Sequence, residues 1–182
     1  MPFELHPDTS VRGVSLAEYF AVEAEALPRF YQQLGARASG FGLPMRQPAV
    51  IANTHAALLM AEYARDLGRF EDLRRATFQC YFAEGRNLAD EAVLLDCAER
   101  SGLHLKNGLA AVMRPRYEAR LGQGRAEAER FGVIGTPTWV VDGRYRAVGA
   151  QPYELLREGL LRIAGGRMPS VPFLKMWWLG LD

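Results

Sequence analysis

Two cysteines, three histidines and one Gly-Thr-Pro step are the residues of this 182-residue chain whose types could carry chemistry. Dithiol exchange needs one thiolate to attack a disulfide and a second thiol to resolve the intermediate. Cys80 and Cys97 have sixteen residues between them, which fits neither a Cys-x-x-Cys pair nor a four-ligand zinc spacing. Both fall on apolar helical stripes, where a free cysteine behaves as a small hydrophobe. They could join in a disulfide only if their helices brought the Cα atoms within about 7 Å. His6, His55 and His104 lie far apart, with no acid or cysteine at catalytic spacing, so each reads as a surface or capping residue rather than a base. Glu23, Glu25, Glu62 and Glu127 fall on solvated faces of amphipathic helices. No Gly-rich loop follows a strand as a phosphate cradle requires. These patterns assign no catalytic residue and no metal site.

The elements around these residues follow from hydrophobic period and punctuation. Pro2 to Leu5 could be a short strand entering a Pro/Asp/Thr loop. Ser15 and Glu18 have capping-box spacing and open a helical stretch towards Leu34, which Pro28 kinks or splits. Gly35 to Pro48 reads as a linker. Asn53 caps a helix to about Leu67, with Gly68 ending it. Arg69 to Ala83 repeats the pattern with Phe70, Leu73, Thr77, Cys80 and Tyr81 on one stripe, and Asp90 to Arg100 does so with Val93, Leu94, Cys97 and Ala98. Pro115 to Phe131 is a further helix that stops at Gly132. Thr138 to Val141, the Asp142-Gly143 turn and Arg144 to Val148 carry a β-hairpin signature. A last helix follows Pro152, with Gly165 and Gly166 at its end.

Composition limits the function classes. Basic and acidic residues number 22 and 21, a formal net charge of +1, so no global field favours nucleic acid or an anionic membrane. All but two of the basic residues (Lys106, Lys175) are arginine, which reflects base composition more simply than phosphate binding. No apolar run approaches the roughly 20 residues that span a bilayer, and the N-terminus has no secretory pattern, so the cytoplasm is the expected location.

The informative constellation is an order of elements: helix, Gly132-Val133-Ile134-Gly135-Thr136-Pro137, strand, Asp-Gly turn, strand, Gly149, helix. That order resembles the C-terminal half of a thioredoxin fold. The landmarks Pro2-Phe3-Glu4-Leu5-His6-Pro7-Asp8-Thr9, Asn53-Thr54 with Glu62-Tyr63-Ala64, Tyr81-Phe82-Ala83-Glu84-Gly85-Arg86-Asn87 and Val148-Gly149-Ala150-Gln151-Pro152-Tyr153 extend it. Together they resemble the DsbA-like disulfide oxidoreductases of the FrnE type and the related 2-hydroxychromene-2-carboxylate isomerases. The resemblance implies an α/β, thioredoxin-like fold of DsbA type over residues 1–166, with a large helical insertion at about 15–131 and an apolar tail over 167–182. It also implies a cis bond at Thr136-Pro137, with Thr136 and Pro137 facing substrate and the Thr136 backbone pairing with an extended peptide or holding a small thiol.

This sequence departs from the family pattern where it matters most. Family members place a strand and a helix-start Cys-x-x-Cys, or a serine in the isomerases, before the Pro-Phe-Glu-Leu segment, and this chain starts at that segment. The strand-helix unit is therefore missing from it, and with it the dithiol. Three readings stay open: a coding start further upstream, a redox-dead member that binds a peptide or partner, or a fragment. A glutathione-dependent isomerase is the enzymatic alternative, with glutathione the one small cofactor the resemblance admits. A missing central strand would leave neighbouring ladder groups unpaired. Val171 to Leu179 could fill the gap within one chain or in a homodimer formed through the exposed sheet or this tail, or it could pack on a surface groove.

Overall fold

The computed structural model describes residues 3–21 and 25–167, in two compact units, Met1–Gly124 and Arg125–Asp182. The apolar segment Val171 to Leu179 lies outside the described residues.

The first unit is mainly helical. Its elements are β1 (Val14–Ser15), α1 (Leu16–Phe20), α2 (Ala26–Ser39), β2 (Val50–Ile51), α3 (His55–Asp66), α4 (Phe70–Phe78), α5 (Glu91–Arg100) and the start of α6 (Pro115–Arg130). A π-helical turn, Gln79–Ala83, continues α4, and a 3-10 turn occupies Gly108–Ala111. The core is built by α3, α4 and α5, with Leu59, Met60, Leu73, Leu94, Val112 and Tyr117 all nearly inaccessible. Each such side chain contributes about 1.5–3 kcal/mol relative to exposure, so this cluster organises the unit. β1 and β2 form a two-residue antiparallel ladder, Val14 opposite Ile51 and Ser15 opposite Val50. Gly13 makes this approach possible: its φ is +89°, and a Cβ there would lie 2.7 Å from the Ile51 carbonyl oxygen.

The second unit contains the end of α6, then β3 (Thr138–Val141), β4 (Tyr145–Val148) and α7 (Tyr153–Ala164). The hairpin pairs Thr138 with Val148, Trp139 with Ala147, Val140 with Arg146 and Val141 with Tyr145. Asp142 and Gly143 take φ values of 54° and 63°, the left-handed pair that a primed hairpin turn demands. Arg144 belongs to the connection rather than to the strand, since its N–H donates back to the Val141 carbonyl at 3.2 Å.

Several expectations are corrected. Phe3 to Leu5 form no strand, and Pro2 lies outside the described residues; no ladder partner flanks the segment among the described residues, and Glu4 reaches His55 instead. The helix opened by Ser15 does not run to Leu34. Ala21 adopts a left-handed φ of 50° and ends it at Phe20, and α2 then takes Pro28 into its first turn, where a missing N–H costs nothing. α2 continues through Gly35 to Ser39, shortening the expected linker. Asn53 is not the residue flanking α3; Thr54 is, although the Asn53 side chain still accepts from the His55 N–H at 3.1 Å. The stripe from Arg69 to Ala83 is not one α-helix, because its last five residues widen into the π turn.

Candidate functional site

The Thr136-Pro137 elbow is assembled from local rules in the second unit. α6 ends where Gly132 takes φ +61° and the Val133 N–H returns to the Ala128 carbonyl at 2.8 Å. Arg146, on β4, donates to the Phe131 carbonyl at 2.8 Å and also to that of Gly132. Its guanidinium therefore neutralises the orphaned carbonyls of the helix end and ties α6 to the hairpin. The Thr138 hydroxyl donates to the Gly135 carbonyl, closing the turn beneath the elbow. Between these fixed points the Thr136-Pro137 bond is cis, and both residues are exposed.

The backbone direction beyond the elbow follows from one contact. The Pro137 carbonyl accepts from the Gly149 N–H at 2.8 Å, so residue 137 faces β4. Backbone groups alternate sides along an antiparallel strand, which turns those of Thr138 and Val140 to the outer edge. Among the described residues β3 pairs only with β4, and that outer edge has no strand beside it. Trp139, 52% exposed, and Val140 flank it. Backbone donors and acceptors with an aromatic neighbour are the groups that can hold an extended chain.

The cysteines lie elsewhere, in the first unit. Cys80 is in the π turn and Cys97 in α5; both are free and fully buried. Burial, and then the neighbouring Cys80, push the Cys97 thiol well above its ordinary value. Its place in the second half of α5 is also the wrong end of a helix for an anion. Both influences oppose thiolate formation, whereas a nucleophilic cysteine needs the reverse. Arg86 reaches the Cys80 sulfur at 3.7 Å but is committed to Glu84 and Asp96.

Of the histidines, His6 is hydrogen-bonded to the Tyr19 hydroxyl, and burial lowers its proton affinity. It lines a cleft of about 670 Å³ formed by the segment from Leu5 to Ser10, by β1 and by Glu18 and Tyr19 of α1. His104 lines a smaller groove with Lys106. His55 corrects the sequence reading: it does begin α3, but its ring also lies between Glu4 and Glu118, carboxylates 51 and 63 residues away. No local spacing could have signalled that trio. Among the described residues no group of three or more His, Cys, Asp or Glu side chains is placed to hold a metal ion. Nor is any helix among them long and apolar enough to cross a membrane.

Comparison with known proteins adds the wider context. Residues 1–161 match a family model described as a DSBA-like thioredoxin domain. The chain is also similar to the solved structure of a probable DsbA oxidoreductase from Streptomyces coelicolor, at 28% identity with a TM-score of 0.79, over 96% of this chain and 76% of that one. No curated protein matches it.

Proposed function

Because this chain belongs to the family of DSBA-like thioredoxin domains, we propose that the polypeptide binds extended peptide segments at the Thr136-Pro137 elbow and performs no dithiol exchange of its own. The observation that carries the reading is the exposed elbow leading into a strand whose outer edge, at Thr138 and Val140, has no partner strand among the described residues. An extended chain laid along that edge would exchange main-chain hydrogen bonds with it, so affinity would depend little on ligand side chains. The second half of the proposal follows from thiol chemistry. Exchange requires an accessible thiolate and a resolving thiol, and the two cysteines of this sequence are free, buried and on helix faces remote in sequence from the elbow. We place its work in the cytoplasm, where such thiols stay reduced, and we take a second copy as a further candidate for the same edge.

Two measurements on the same polypeptide test this reading. In an insulin-reduction assay with a dithiol reductant, turnover is expected to match the protein-free rate; catalysis abolished by alkylating Cys80 or Cys97 would overturn the redox-silent half. For the binding half, the probe is a short blocked peptide of alternating threonine and valine, titrated beside one version N-methylated on a single edge and one N-methylated on both edges. Because either edge of the peptide can meet β3, the single-edge version is expected to bind within about twofold of the parent, and the double-edge version about tenfold or more weaker, the loss of roughly one good hydrogen bond or its desolvated remnant. Equal binding by all three would contradict edge pairing, and glutathione competing for the site would favour the isomerase reading instead.

A further inference from the structure

Glu4, His55 and Glu118 come from three separate elements of the first unit: the N-terminal segment, the first position of α3 and the first turn of α6. A Glu4 carboxylate oxygen lies 3.3 Å from His55 Nδ1, and one of Glu118 lies 3.1 Å from Nε2. The imidazole is 38% exposed, so protons can reach it from solvent. A neutral imidazole carries one N–H; it could donate to only one of these carboxylates and would turn a lone pair toward the other. Only the imidazolium, protonated on both nitrogens, donates to both.

The helix setting makes these partners necessary. His55 opens α3, where the helix dipole opposes a cation, and α3 has no acidic residue in its own first turn. The charges that face the ring therefore come from the other two elements. Glu118 sits in the first turn of α6, where a carboxylate is favoured. Glu4 directly precedes the Leu5 to Ser10 segment that forms one wall of the cleft described above.

We propose that Glu4, His55 and Glu118 form a proton-dependent clasp that fastens the N-terminal segment to α3 and α6 while His55 carries both ring protons and loosens when one is released to solvent. The titration direction agrees with this geometry: partial burial alone would lower the proton affinity of His55, but the hydrogen bonds and charges of Glu118 and Glu4 outweigh it and raise it above 6.5. A group whose affinity rises on folding stabilises the fold fully below its unfolded value. That contribution is lost as the pH climbs through the higher folded value. The clasp is therefore closed in mildly acidic solution and opens towards alkaline pH.

The test follows the ring protons of the full chain by NMR and, in parallel, the amide exchange of residues 3–10 corrected for its intrinsic pH dependence. His55 is expected to titrate above 6.5, and Glu118→Gln to lower its midpoint. Corrected exchange of the segment should rise severalfold across the wild-type midpoint and stay level in His55→Gln. A wild-type midpoint at or below 6.5 would overturn the proposal without recourse to any variant. So would segment exchange that is the same on both sides of the midpoint, or a Glu118→Gln midpoint unchanged from wild type.

Discussion

Gly132 shows how a single residue sets the geometry of the elbow. Its φ of +61° is a conformation that a Cβ makes costly, and an added Cβ would meet the guanidinium of Arg146, which holds the Phe131 and Gly132 carbonyls. Gly132→Ala should therefore destabilise the chain by about 1–2 kcal/mol through left-handed strain alone, with a further loss as Arg146 is displaced. Urea unfolding monitored by tryptophan fluorescence measures this. Gly132→Asn, which tolerates the left-handed region better, should fall between Ala and wild type. An alanine variant as stable as wild type would show that Gly132 does not fix the turn. The glycine was visible in the sequence as a helix stop. Arg146 was not, because its partners at Phe131 and Gly132 lie about fifteen residues upstream and no local pattern links them.

Among the elements, those specified by neighbouring residues were legible and those specified by packing were not. Ser15 caps α1 as its spacing with Glu18 implied, its hydroxyl oxygen accepting the Glu18 N–H at 3.2 Å. The β3–β4 hairpin follows from Asp142-Gly143 between β-branched and aromatic runs. β2 consists of two residues held by opposing β1 and by the Tyr81 hydroxyl, which donates to the Val50 carbonyl at 2.8 Å, and the π turn after α4 interrupts an otherwise regular stripe, so neither has a sequence signature. That turn is tied to α5 by an ion-pair network: Arg100 contacts Glu84 at 2.6 Å and Asp96 at 2.8 Å, and Arg86 joins both acids. Hydrogen bonds from Arg86 and Arg100 hold Asp96 below its ordinary value of 3.8, and bonds from Arg100 and Arg86 hold Glu84 below 4.5. Depressed carboxylates contribute stability above their unfolded values and lose it as the pH falls through the folded ones. Urea midpoints recorded from neutral pH into acid should fall below pH 4.5, and less steeply in Arg100→Gln. Since these groups are solvent-facing, the difference should be small and should shrink further in high salt. An identical acid profile for variant and wild type would remove the network from the account.

For the whole molecule, the family and the thioredoxin-like α/β class were legible because the order of landmarks from Pro2 to Tyr153 survives even where single motifs are weak. The Glu4–His55–Glu118 trio was illegible for the opposite reason: it exists only once the N-terminal segment, α3 and α6 have come together. The proposed function divides in the same way. The backbone of the elbow can pair with a peptide without any reactive side chain, while the two thiols serve the core of the first unit. The most direct test of that division is the backbone amide spectrum of the isotope-labelled full chain, titrated with the threonine–valine peptide. The Thr136, Thr138 and Val140 amides are expected to shift together and saturate. Saturable binding that leaves those three amides in place would contradict edge pairing.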